Sequence, residues 1–260
     1  MKQIRGGNAG LFKNGEFRTD SSTGCPRVIK MRAYGFQSGI VEGSTAKVFK
    51  VGHLFEDWFA KENPGLIAEH PVKFNVTEDV EFAGHIDFVG EEFIYELKSV
   101  TSKNTYRDVF KKQKPKEQNL LQLMTYMVAL ERDKGKLIYG SFTKTITYDM
   151  FEELGDDEFE EMCETLKPDD TIEFFVTLDE QGEFHCNGKS IDINVSDICE
   201  FWNQASAMIM DEEVPAKPEK LAEKNYFGPC HFCDLKNICA SDYDSWDEFY
   251  NTVKNFVAPR

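Results

Sequence analysis

The chain has 260 residues, of which 41% are hydrophobic and 29% charged, and a formal net charge of −16 at pH 7. That length buries one substantial core with a small appended module. No run approaches the ~18 apolar residues that cross a bilayer, and seven cysteines without an N-terminal apolar run argue against secretion or a disulfide framework. The expected compartment is therefore the cytoplasm, or host cytoplasm if the protein is virus-encoded.

In chain order, residues 1–24 are rich in Gly, Ser, Thr and Asn and read as a flexible arm. Residues 26–43 read as short helical or irregular material. A helix is expected over 44–62, opened by Ser44 and stopped before Pro64, with Phe49, Leu54, Trp58 and Phe59 as its packing surface. His53 and Glu56 share one face of it.

Strands follow near 67–76, 80–89 and 92–99, the last two joined at a Gly90 turn. If that turn occupies two residues, Asp87 stands opposite Ile94 and diagonal to Glu96, roughly 7–8 Å away, and Asp87, Glu96 and Lys98 share a sheet face. Loop material then runs to about Pro115. A helix over 116–134 carries Leu120, Leu121, Met124, Met127, Val128 and Leu130 on its apolar face, with Gln122 and Tyr126 one turn apart and Gln118 extending that edge. A strand over 137–143 is expected after a Gly135 turn, then an acidic helix over 148–166, a hairpin from 171–178 and 182–187, and a helix over 195–213. Residues 225–240 read as a cysteine module, and 246–256 as a final helix.

Two carboxylates and an amine on neighbouring strands suit one divalent cation and a hydrolytic reaction. His53 would add a nitrogen ligand suited to manganese or magnesium; the plain alternative is a packed or exposed helix histidine. Asp87 followed by Glu96-Leu97-Lys98 resembles the signature of the PD-(D/E)xK nucleases, and Gln122-Leu-Met-Thr-Tyr126 resembles the glutamine-tyrosine helix motif of their RecB-like exonuclease branch. Ile86 stands where the literal signature has proline. The resemblance implies an α/β, restriction-endonuclease-like core, a mixed central sheet flanked by helices, over residues 25–224. It implies Mn2+ or Mg2+ held by His53, Asp87, Glu96 and the carbonyl of Leu97, with Lys98 on the attacking water, Glu56 assisting, and Gln122 and Tyr126 at the DNA backbone or a catalytic water.

Cys230, Cys233 and Cys239 lie within ten residues, and Cys25 stands about two hundred residues earlier. This order and spacing resembles the iron-sulfur members of the same branch, namely the CRISPR-associated adaptation nucleases of family four and cluster-bearing helicase-nuclease subunits. The likeness implies a [4Fe-4S] cluster on these four thiolates, within a C-terminal module over 225–260. Four thiolates hold a structural zinc equally well, and His231 could replace one of them. Cys163, Cys186 and Cys199 are scattered and read as small hydrophobes.

The charge is divided unevenly. Residues 1–136 hold 21 Lys or Arg against 18 Asp or Glu, a net of +3, whereas 137–260 hold 9 against 28, a net of −19. The densest basic run, Lys103, Arg107, Lys111, Lys112, Lys114 and Lys116, follows Lys98 directly and reads as a phosphate track, with a solvated lysine-rich loop as the alternative. Arg27, Lys30 and Arg32 could extend it, and Tyr106 and Phe110 could stack unpaired bases.

The resemblance implies an exonuclease acting on single-stranded or frayed DNA in repair, viral genome processing or spacer acquisition, with a recombination or adaptation protein as partner and no membrane. A phage or viral relative of the adaptation nucleases ranks at least equal to an adaptation protein itself. Two other readings stay open: a nonhydrolytic DNA-binding subunit, and an acidic protein-interaction module that binds zinc.

Overall fold

The computed structural model describes residues 43–77 and 81–210. Helix α1 (Gly43–Glu62) leads into β1 (Ile67–Asn75), β2 (Glu81–Val89) and β3 (Ile94–Val100). A short helix α2 (Lys103–Tyr106) runs into a π-helical turn, Arg107–Lys111, and then come α3 (Glu117–Ala129) and β4 (Lys134–Ser141). Next are α4 (Tyr148–Glu153), α5 (Asp156–Cys163), β5 (Asp170–Leu178), β6 (Glu183–Cys186), β7 (Lys189–Asn194) and α6 (Val195–Met210). The strands hydrogen-bond in the order of the chain, β1 to β7. The sheet is mixed: β3 and β4 run parallel, joined by the crossover that contains α3, while the pairs β2–β3, β4–β5, β5–β6 and β6–β7 are antiparallel.

The described residues fall into two compact units, 43–70 with 86–195, and 71–77 with 81–85 and 196–210. In the second, Phe74 meets Trp202 edge-on at 6.2 Å, and the hydroxyls of Thr77 and Ser206 lie 3.3 Å apart. The first unit holds all the site residues considered below.

In that unit α1 buries Val51, Phe55 and Phe59, one residue per turn, against Phe88, Leu97 and Ile138 of the sheet and Phe151 and Phe159 beyond it. The buried stripe therefore differs from the expected one: Leu54 and Trp58 only flank it, and Phe49 is 45% exposed. Phe55 explains the placement. A Cβ on Gly140 of β4 would lie 2.5–2.7 Å from its ring, so the missing side chain is the recess into which α1 is set. One turn earlier, a Cβ on Gly52 would lie 3.8 Å from the hydroxyl of Ser99 on β3.

Gly135 follows the same logic. Expected as a turn, it lies inside β4, because a Cβ there would meet Leu123 and Met127 of α3 at 3.0 Å. The expected acidic helix is two helices. The chain breaks at Leu154–Gly155, where Lys47 of α1 donates to the carbonyls of Phe151 and Leu154, and Glu158 accepts from the Gly155 amide. An unexpected strand, β7, arises from a two-residue turn. Asn187 and Gly188 both have positive φ, 49° and 76°, and Cys186 pairs with Lys189; Asn-Gly is the dipeptide that favours such a turn. The stretch expected as loop between β3 and Pro115 instead winds into α2 and the π turn, where Lys112 N donates to Arg107 O at 3.0 Å.

The proposed cysteine ligands Cys25, Cys230, Cys233 and Cys239, with Arg27, Lys30, Arg32, the N-terminal arm and the final helix, lie outside the described residues. Cys163 is buried, Cys186 half-buried and Cys199 exposed. Among the described residues no helix is long and apolar enough to cross a membrane.

Candidate active site

The β2–β3 connection decides the geometry. It takes four residues, Gly90 to Phe93, closed by a Gly90 N to Phe93 O hydrogen bond of 2.8 Å, where the sequence suggested two. Phe88 therefore pairs with Tyr95 and Val89 with Ile94. Continued one step, the register sets Asp87 across from Glu96 rather than across from Ile94. A shift of two residues leaves every side chain on its original face, so Asp87, Glu96 and Lys98 still face the same way.

At this step a side chain enters the hydrogen bonding between the strands. Asp87 Oδ2 accepts from the backbone N–H of Leu97 at 2.6 Å. Glu96 is wholly buried, and Lys98 Nζ lies 2.6 Å from its Oε1. Lys98 keeps 23% of its side chain exposed and so stands between a buried carboxylate and solvent. Leu97 points to the other face, into the α1 core.

Glu56 reaches the same field from α1. Burial and then the Glu96 charge hold the Asp87 carboxyl well above the usual range, and Glu56 adds to the rise, while Lys98 and the Leu97 N–H oppose it. Three carboxylates thus bear on one another there, Glu96 wholly buried and Glu56 partly exposed. Buried anions of that kind call for a cation or a proton. Their oxygen donors are of the kind a hard divalent ion takes. Among the described residues no three His, Cys, Asp or Glu side chains stand together as a ready metal cage. His53 belongs to the Glu56 side: its Nδ1 is 3.2 Å from Glu56 Oε2, and its side chain is 72% exposed.

Helix α3 brings Gln122 and Tyr126 to the carboxylates. Tyr126 is buried, and its hydroxyl is pushed up by that burial and then by Glu96, with a hydrogen bond from Gln122 acting the other way. Gln122 is 7% exposed, and its Oε1 has no hydrogen-bond partner among the described residues.

Sequence reasoning passed over Tyr139. It pairs with Lys98 in the β3–β4 register, is buried edge-on against Phe174 at 5.8 Å, and accepts hydrogen bonds from Lys116 N at 3.0 Å and Asn119 Nδ2 at 2.9 Å. Its hydroxyl is pushed up to about 12, chiefly by burial. One phenol thereby holds the first turn of α3 to the strand beside Lys98. The available signal was a tyrosine in an otherwise apolar strand, since a buried hydroxyl needs partners.

The basic run spans α2, the π turn and the approach to α3. Lys103, Arg107, Lys111, Lys112, Lys114 and Lys116 are all exposed. Asp108 partly offsets them, 2.8 Å from Lys112 and 3.8 Å from Arg107.

A family model described as the PD-(D/E)XK nuclease superfamily matches residues 32–240. Among solved structures the chain is similar to a phage related exonuclease from Haemophilus somnus 129PT, at 12% identity and a TM-score of 0.45, over 78% of this chain and 90% of that one. It is also similar to an alkaline exonuclease, LHK-Exo, from Laribacter hongkongensis, at 16% identity and a TM-score of 0.39, over 70% of this chain and 74% of that one. No curated protein matches the chain.

Proposed function

The chain belongs to the PD-(D/E)XK nuclease superfamily, and on that premise we propose that it is a divalent-metal-dependent deoxyribonuclease, an exonuclease that prefers single-stranded DNA. One observation carries the proposal. Asp87 and the wholly buried Glu96 share a face of adjacent strands, with Lys98 in ionic contact with Glu96 and Glu56 adding to the negative field at Asp87.

Asp87, Glu96 and the Leu97 carbonyl would hold Mn2+ or Mg2+, with His53 reaching it by way of Glu56. When bound, such an ion supplies a Lewis acid for the phosphoryl oxygens and acidifies water. Lys98, at the solvent edge, orients or deprotonates the attacking water and adds positive charge beside the phosphate. Gln122 presents a buried acceptor oxygen for a water or for the backbone, and Tyr126 fixes its amide. The run from Lys103 to Lys116 steers the phosphate chain.

Cys25, Cys230, Cys233 and Cys239 complete the reading as ligands of a [4Fe-4S] cluster in a cytoplasmic enzyme of DNA repair, viral genome processing or spacer acquisition that works beside a recombination or adaptation protein. The test uses anaerobically purified full-length protein with end-labelled single-stranded and duplex DNA. Mn2+ should release nucleotides, faster from single strands, and chelator should stop release. Binding without release would favour a nonhydrolytic DNA-binding subunit. Colourless, zinc-loaded protein that binds no DNA would favour the acidic interaction module.

A further inference from the structure

Beside the basic run the structure holds two aromatic rings that the core does not need. In the segment Lys103–Lys111 the core anchor is Val109, which is fully buried. Tyr106 and Phe110 are only half-buried, yet they stack on one another at 4.8 Å and 15°. They stand four residues apart, a spacing that puts both rings on one face of a helical segment. Tyr106 is also held at its rim: its hydroxyl donates to Asp170 Oδ2 at 2.9 Å, and Lys144 Nζ lies 3.0 Å from the same oxygen. Lys111 Nζ also lies over the Tyr106 ring, 5.4 Å from its centroid.

Tyr106 thus already carries a ring, a cation and a hydrogen bond, whereas Phe110 has no ring or cation contact other than Tyr106 among the described residues, so it is the ring that can offer a face to a ligand. Around it, residues 101–116 carry six Lys or Arg and one acid, in a chain whose net charge is −16. A rigid aromatic face among exposed cations is the combination that recognises unpaired nucleotides: cations take the phosphates, and the ring takes a base, which in a duplex is covered by its neighbours.

We infer that Phe110, backed by Tyr106, is a stacking ledge for one unpaired base of a single-stranded nucleic acid, and that Lys111 and its neighbours hold the flanking phosphates. This rests on the nuclease reading for the purpose of the strand, and it deepens that reading by naming the feature that distinguishes single strands from duplex. The ledge selects the substrate; Phe110 takes no part in hydrolysis.

The probe is a labelled thymidine oligomer alongside an abasic oligomer of equal length, which keeps the phosphates and lacks the bases. Anisotropy of the full-length protein is measured in chelator, where no cleavage occurs. Wild type should bind the thymidine oligomer more tightly. Phe110→Ala and Phe110→Leu should lose about tenfold on that oligomer, within the range for one base on an aromatic ring, and change little on the abasic one. The leucine variant guards against collapse of the turn, because it keeps an apolar side chain and removes only the π face. Equal wild-type affinity for the two oligomers, or equal losses on both, would overturn the ledge. Manganese-dependent cleavage by wild type is scored separately: cleavage without base-dependent binding removes the ledge and leaves the nuclease, and base-dependent binding without cleavage does the reverse.

Discussion

Asp87 and Lys98 lie in one site and respond to substitution with opposite signs of stability. Asp87 is an acid whose folded form binds its proton more tightly than the unfolded chain, because burial and Glu96 raise its pKa. The native state then carries the extra proton between the unfolded value of about 3.9 and the raised folded one, and over that window stability falls as pH rises. Asp87→Asn removes the penalty while retaining an acceptor for the Leu97 amide. In chelator at pH 7 this variant should melt a few degrees above wild type, at about 2–4 °C per kcal/mol for a domain of this size. The gap should close near pH 4. Lys98→Ala strips a buried carboxylate of its 2.6 Å ion partner and should melt below wild type. Both variants should lose manganese-dependent cleavage, Lys98→Ala by about 10²- to 10⁴-fold. Melting curves in chelator with Asp87→Asn below wild type at pH 7 would remove the electrostatic account of the site.

At the scale of elements, close approach rather than turning explains the glycines of β4. Gly140→Ala places a methyl group in the space of the Phe55 ring, an overpacking that costs about 1–3 kcal/mol. It also lifts α1, which carries Glu56. The expected result is a lower melting temperature together with lower activity, and partial recovery of both in Gly140→Ala/Phe55→Leu, where the smaller side chain leaves room. Losses that simply add in the double variant would mean that the two residues do not share one recess. Tyr139→Phe tests the other face of the sheet. It orphans Lys116 N–H and the Asn119 amide, at about 1–3 kcal/mol for groups left unpaired, and loosens the first turn of α3 ahead of Gln122. Pairing Tyr139→Phe with Asn119→Ala should cost less than the sum of the two separately.

These same elements mark what could be read without a structure. Asp87, Glu96 and Lys98 were legible because alternation along a strand survives an error of two in the register, and the four-residue turn is such an error. Helix α1 was legible in extent but not in its buried stripe: apolar residues crowd several of its faces, and only the recess at Gly140 selects Phe55. Tyr139 carried a signal but not its partners, because Lys116 and Asn119 lie some twenty residues earlier in the chain. Strand β7 was readable and overlooked, since Asn187-Gly188 is a local hairpin signal.

The whole molecule poses a charge problem, because a chain with net charge −16 is proposed to hold a polyanion. Screening resolves it. At physiological ionic strength the Debye length is about 8 Å, so a phosphate at the Lys103 to Lys116 run responds mainly to charges within that distance, the cations of the run against Asp108, paired with Lys112, and Asp170, paired with Lys144. Lys103 and Lys114 make no ion pair among the described residues and are the natural phosphate contacts. Replacing both by Ala should flatten the plot of log affinity against log salt by about 1.4, at roughly 0.7 per phosphate contact on a single strand. The loss should be equal on thymidine and abasic oligomers, unlike that from Phe110. The acids should become visible only when screening is withdrawn. At about 0.01 M salt the Debye length grows to about 30 Å, and the −19 held by residues 137–260 then repels the strand that the basic run attracts. The salt plot should therefore bend over at its low-salt end instead of continuing to climb. A straight line down to 0.01 M, measured by anisotropy in chelator, would mean that the acidic half exerts no field on the bound strand.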